Sequence, residues 1–258
     1  MTGPARIGVA QVRASLNPNV EVEAPVRWFG RPLANLITPY FHNNGWTANG
    51  VTAARGWLGL LSVAFLAVPQ PYVWPVAALG YYACFVLDCV DGNLARIQGN
   101  ATYYGKFLDG AVDFVFPIGA ALCAGAGAWL QYEEPVWFGL GAAIAVACAF
   151  NHMLRSRLSF FREWMVAQTG PLTDTETTAA KSAQRVQRIV GAIYGNGYFL
   201  SVAVLLLPRG GATAFLILTA IVQLLPDLVW IATTLAESKA TLGRTRTSRH
   251  AAKAAVSE

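Results

Sequence analysis

Four aspartates carry the pattern most suited to chemistry. Asp88 and Asp91 are three residues apart, and Asp109 and Asp113 are four apart. On a helix, either spacing puts both carboxylates of a pair on one face. The first pair ends one long apolar segment and the second begins the next. A connection of about a dozen residues lets two such helices run antiparallel, so that all four acids converge at one depth just inside a membrane. Anions gathered there are costly without counter-charge. Arg96 and Lys106 are the only cations in that stretch and do not balance them. Divalent metal does. Carboxylate oxygens suit Mg2+, Mn2+ or Ca2+ over zinc or copper. A cluster this dense has room for two ions, the arrangement that clamps attacking and leaving oxygens in phosphoryl chemistry. Gly92 and Ala95 leave space for a ligand beside the metal. Gly105 permits a tight turn, and Arg96 offers a fork for a phosphate oxygen. Helix packing and termination explain each small residue equally well when it is taken alone.

The elements that position these acids follow from composition. Of 258 residues, 55% are hydrophobic and 13% charged, against about 25% charged in soluble domains. Six segments are apolar over the roughly 20 residues a span requires: 49–69, 72–91, 107–130, 135–156, 187–207 and 211–235. Pro69-Gln70-Pro71, Glu133-Glu134-Pro135 and Pro208-Arg209-Gly210-Gly211 divide them. Gly92 and Gly105 are expected to bend the cytoplasmic ends of the second and third spans. All but Arg209 of the 19 Lys and Arg fall on the side of the two termini. The positive-inside rule then makes the termini and the aspartate cluster cytoplasmic. The net charge of +5 is spread between apolar runs rather than clustered on a polar face, which argues against nucleic acid.

The expected fold is an all-α integral membrane protein with six transmembrane helices preceded by a cytoplasmic interfacial amphipathic helix. Residues 1–45 form the cytoplasmic N-terminal segment and 46–237 the catalytic domain. Residues 238–258 form a basic, disordered tail drawn to anionic headgroups. No signal peptide is read in residues 1–27, which hold five charged residues and no apolar core. Trp28 to Tyr40 repeats its apolar residues at near-helical spacing between flanking arginines, as an interfacial helix does. Cys84, Cys89, Cys123 and Cys148 lie in apolar segments without ligand spacing and read as packing residues. Small residues in 119–127, and Gly191 with Gly195, allow close helix contact within one chain or between two.

The string Asp88-x-x-Asp91-Gly92-x-x-Ala95-Arg96, eight residues, then Gly105-x-x-x-Asp109-x-x-x-Asp113 resembles the signature of the CDP-alcohol phosphotransferases at every fixed position. Thr47-Ala-Asn-Gly-Val-Thr52 is similar to the family's segment opening the first span, with Ala48 where proline is usual. The resemblance implies transfer of a phosphatidyl group from a CDP-linked donor, CDP-diacylglycerol in most members, to an alcohol, with CMP leaving. It implies Mg2+ or Mn2+, two ions, held by Asp88, Asp91 and Asp109. Asp113 becomes the general base and a contact of the second ion. Asn49, Thr52, Asp88, Gly92, Ala95, Arg96 and Gly105 become the CDP-binding set. It also implies a homodimer in the cell membrane, working on membrane lipid.

The acceptor is less constrained. Arg155 and Arg157 begin a basic cluster after the fourth span, and Arg185 and Arg188 share a face ahead of the fifth. A phosphorylated polyol such as inositol phosphate or glycerol phosphate needs such cations near the metals. The Arg155/Arg157 pattern resembles the phosphatidylinositol-phosphate synthase branch. Arg155, Arg157 and Arg188 are therefore the acceptor-binding candidates, although positive-inside anchoring explains them as well. An unphosphorylated alcohol such as serine is the alternative. His152 reads as a structural histidine, with a proton shuttle or hydrogen bonder as the alternative. Asp227, beside Pro226, is an intramembrane acid and so a functional suspect by default; a partner for freed backbone groups is the alternative, and it is placed outside the active site. Two readings of other classes are a cation transporter, disfavoured because no acid lines the opposite half of a path, and a catalytically silent relative. The intact acid set disfavours the latter.

Overall fold

Long apolar runs punctuated by proline and glycine leave helices as the only regular structure among the described residues. The computed structural model describes residues 6–16, 26–207 and 210–243, with side chains 192–199 outside that description. The helices are α1 (Val9–Ala14), α2 (Arg31–Asn43), α3 (Ala48–Leu66), α4 (Trp74–Gln98), α5 (Tyr103–Tyr132), α6 (Pro135–Thr169), α7 (Asp174–Ala203), α8 (Gly211–Thr219) and α9 (Leu225–Thr241). A π-helical turn, Ala220–Leu224, joins α8 to α9, so the last rod runs unbroken from Gly211 to Thr241. Threonines cap three starts: the Oγ1 atoms of Thr47, Thr102 and Thr173 accept from the backbone N–H groups of Gly50, Gly105 and Glu176. Each satisfies a donor that the first turn leaves orphaned.

Among the described residues, three rods are long and apolar enough to cross a membrane: α5, α6 and Gly211–Thr241. The other expected spans fall on α3, α4 and α7. Large apolar side chains such as Trp57, Leu61, Leu79, Leu200, Ile217 and Leu228 stay exposed on the outer faces, as lipid-facing residues do. Inside, α4, α5 and α8 share a core around Trp74, Ala77, Ala121, Ala124, Phe215 and Leu216. The small residues of 119–127 serve contacts within the chain. A Cβ on Gly141 would lie 2.3 Å from the Ala121 carbonyl oxygen, so α5 and α6 approach backbone to backbone.

Several boundaries differ from the sequence reading. Gly92 does not bend the second span: α4 runs through it to Gln98 and ends at Gly99, whose φ of +62 supplies the left-handed cap. Residues 93–98 are mostly good helix formers, and nothing before Gly99 breaks them. The connection to α5 is therefore only residues 99–102 rather than about a dozen. Likewise α6 reaches Thr169, well past 156, and α7 begins at Asp174 rather than near 187. Those extensions are polar, so hydropathy alone did not register them. The segment expected to be interfacial is a π-helical turn, Val26–Gly30, followed by α2. Helix α2 exposes Leu33, Leu36 and Tyr40 and buries Asn35, Thr38 and His42 against the bundle. Of the basic tail, Lys239 lies on α9, while Arg244, Arg246, Arg249 and Lys253 lie outside the described residues.

Candidate active site and metal centre

Helix α3 packs against both α4 and α5, and the short 99–102 connection sets the end of α4 beside the start of α5. The two acidic faces then meet. Carboxylate oxygens of Asp88, Asp91 and Asp109 lie within 4.8 Å of one another. Asp91 is the most enclosed of the three, at 8% exposure. Thr52 Oγ1 donates to Asp91 Oδ2 at 2.8 Å. Thr52 stands on α3, one turn from a buried arginine that lies outside the motif.

That residue is Arg55, only 2% exposed. Its Nη1 donates to Asp88 Oδ1. Its Nη2 donates to Asp109 Oδ1 at 2.7 Å and pairs with Asp113 Oδ1 at 3.1 Å. The cation absent from the 88–113 stretch therefore comes from the first span. The available signal was an arginine in an otherwise apolar helix, three residues after Thr52 and on the same face. Arg55 ties one oxygen of each of three acids and draws them together.

The donor set suits hard divalent cations. With every group ionised, four carboxylates and one guanidinium leave a formal charge of −3. Of the carboxylate oxygens, Arg55 engages the Oδ1 atoms of Asp88, Asp109 and Asp113, and its Nη2 also donates to the Asp109 backbone carbonyl at 3.5 Å. The second oxygens of Asp88 and Asp109 remain for a metal, together with the Asp91 carboxylate. Oxygen-only, carboxylate-rich sites of this kind fit Mg2+ or Mn2+.

Two cavities flank the cluster. The smaller, about 210 Å3, is lined by Asn49, Thr52, Asp91, Gly92, Ala95, Gly105, Lys106 and Asp109 among others. It unites the expected CDP-binding residues except Asp88 and Arg96. Gly105 packs closely here: a Cβ on it would sit 2.6 Å from Asn49 Oδ1, so the Asn49 side chain would have to move. Arg96 turns along the helix, donating to Asn93 Oδ1 at 2.7 Å, with Nη1 3.5 Å from where a Gly92 Cβ would be. Asn93 in turn donates to Asn35 Oδ1 and Thr38 Oγ1 of α2, at 3.1 and 3.0 Å. Buried Asn93 thus clamps α2 onto the acidic segment, a role that no local sequence pattern signals.

The larger cavity, about 380 Å3, has Arg55, Asp88 and Asp113 on its α3–α5 wall and His152, Arg155, Asp227 and Trp230 on its α6–α9 wall. The Arg155 guanidinium stacks over Trp230, 5.2 Å from the ring centroid. His152 packs edge-on against Phe114 at 5.2 Å. Arg157 stacks on Phe161 at 5.3 Å. Neither Arg157 nor the exposed Arg188 is on the wall of either cavity. Asp227, set aside in the sequence reading, is on the wall.

Residues 46–236 match the family described as CDP-alcohol phosphatidyltransferase. The phosphatidylinositol phosphate synthase of Corynebacterium glutamicum is 30% identical over 109 residues, 42% of this chain and 48% of that protein. The chain thus spans about half the length of the curated relative it matches. The family match takes in α3 to α9 nearly whole, with Arg55, all four aspartates and both cavities, and on that footing the chain belongs to the CDP-alcohol phosphatidyltransferase family.

Proposed function

We propose that this protein transfers a phosphatidyl group from CDP-diacylglycerol to a phosphorylated polyol, releasing CMP in phospholipid synthesis. One observation carries the reading: the acids partition two cavities. Asp91 and Asp109 face the smaller, Asp88 and Asp113 the larger. A donor diphosphate in the smaller cavity and an acceptor hydroxyl in the larger would meet across the carboxylates.

Asp88, Asp91 and Asp109 would hold Mg2+ or Mn2+, two ions, with Asp113 touching the second. When bound, the metal neutralises the diphosphate and stabilises the departing phosphate of CMP. The acceptor oxygen bonds to the phosphorus bearing the lipid. The P–O bond to CMP breaks, and its electron pair leaves with CMP. The hydroxyl proton passes to Asp113, which must lie within hydrogen-bond reach of it. Asn49, Thr52, Gly92, Ala95 and Gly105 form the cytidine-diphosphate cradle, and Arg96 borders it. Gly105→Ala is expected to push Asn49 into that cradle. The donor KM should rise about tenfold, the cost of one strained polar contact, with the acceptor KM unchanged.

Arg155 supports a phosphorylated acceptor, since it is the expected arginine that faces the same cavity as Asp113. The name of the Corynebacterium relative points the same way. The chain is read as six spans, α3 to α7 and the Gly211–Thr241 rod, in the cell membrane with cytoplasmic termini and site. Helix α2 is read as lying in the interface. A homodimer follows from the resemblance. Because the α5 and α6 glycines meet each other, its interface lies elsewhere. Mass-spectrometric identification of the lipid made from glycerol phosphate, inositol phosphate, inositol and serine tests the acceptor. A phosphorylated product is expected, and Arg155→Ala should raise that acceptor's KM about tenfold. A serine product, or an unchanged KM, would remove the case for phosphate.

A further inference from the structure

The α6–α9 wall of the larger cavity holds an acid that the transfer chemistry does not use. Asp227 is 2% exposed and lines the cavity. Asn151 Nδ2 donates to its Oδ1 at 2.7 Å, and Asn151 itself is 1% exposed. Asp227 Oδ2 has no hydrogen-bond partner among the described residues, and neither does Asn151 Oδ1. A buried carboxylate with one oxygen fixed and the other unsatisfied is costly unless something completes it. Freed backbone groups near Pro226 do not. The hydrogen bond that fixes Asp227 comes from the neighbouring helix α6, one turn before Arg155.

The same wall therefore presents an acceptor and a donor set together: the Asp227 carboxylate, and the Arg155 guanidinium held over Trp230. A ligand matched to both carries hydroxyl groups and an anion. At about 380 Å3, the cavity falls in the range of small-molecule sites. We propose that Asp227 is a specificity-determining residue that accepts a hydrogen bond from a ring or chain hydroxyl of the polyol phosphate. Asn151 acts as its positioning residue. This rests on the acceptor reading given above. In it, one hydroxyl is directed toward Asp113 on the α5 wall while another is held by Asp227 on the facing wall. The reacting hydroxyl is thereby selected among several.

The test is steady-state kinetics of the full-length protein in detergent–lipid micelles with CDP-diacylglycerol, Mg2+ and either glycerol phosphate or inositol phosphate. Asp227→Asn keeps the size of the side chain and the bond from Asn151 but replaces the charged acceptor. The acceptor KM is expected to rise about tenfold, the loss of a hydrogen bond to a charged group, with the donor KM unchanged. Deoxy analogues of the acceptor should lose affinity for the wild type and little more for the variant, a coupling that a merely structural role would not produce. If Asp227→Asn does not fold, Asn151→Ser releases the carboxylate and should raise the acceptor KM several-fold. Unchanged acceptor constants, or equal changes for donor and acceptor, would overturn the proposal while the transfer reading stands. Wild-type turnover with neither polyol phosphate would overturn the acceptor reading and this inference with it.

Discussion

Asp113→Asn is expected to abolish CMP release while the protein still folds and binds the donor. A positioned general base contributes about 10²–10⁴ in rate, so kcat should fall by at least two orders of magnitude with the donor KM near its wild-type value. Asparagine keeps the size of the side chain and an oxygen for Arg55, so the cluster should hold its shape. Asp113 is also not among the three acids whose oxygens approach within 4.8 Å of one another. Binding of the ion held by those three should accordingly survive the change, as Mn2+ titration of the variant would read. A variant that has lost both metal and donor affinity would mean that Asp113 is a principal ligand instead of the base.

Arg55→Gln should affect stability and rate together. Arg55 is buried and bridges Asp88, Asp109 and Asp113. Without it, neighbouring carboxylates face one another uncompensated. Breaking a buried ion pair costs about 3–5 kcal/mol, and exposed pairs cost far less. The acids here are roughly half-exposed, with side-chain exposures of 43% for Asp88 and Asp109 and 58% for Asp113, so a loss of about 2 kcal/mol is expected. Thermal unfolding in EDTA should show a clear drop in Tm for the variant. Saturating Mg2+ should recover most of it, because the metal supplies the missing positive charge. Turnover should stay low even with Mg2+, since three acids lose the group that aligns them. Equal Tm values for variant and wild type in EDTA would show that these bridges stabilise nothing.

The sequence and the structure agree most closely where function demands fixed spacing. Asp88 with Asp91, and Asp109 with Asp113, share faces as helical periodicity requires, and the smaller cavity gathers Asn49, Thr52, Gly92, Ala95 and Gly105. Contributions from distant helices were less legible. Arg55 lies 33 residues before Asp88, and a lone arginine in an apolar span reads first as an anomaly. Asp227 lies 76 residues after Asn151, and no local pattern joins them. Arg155, Arg157 and Arg188 look alike as cytoplasmic arginines. Only packing separates the one that meets the cavity from the one stacked on Phe161 and the one left exposed. The helix ends failed for a different reason. Hydropathy marks where lipid ends, and α4, α6 and α7 continue into polar residues until glycine or a threonine cap stops them.

The most direct measurement is CMP release by the purified wild-type protein supplied with CDP-diacylglycerol and a panel of alcohols, with Mg2+ or Mn2+ and then with EDTA. Metal-dependent CMP release, in equal amount to a new phosphatidyl lipid, is the predicted result. No CMP with any physiological acceptor, in micelles or liposomes where CDP-diacylglycerol is accessible, would contradict the account. Cation flux through proteoliposomes in its place would assign the four aspartates to an ion path.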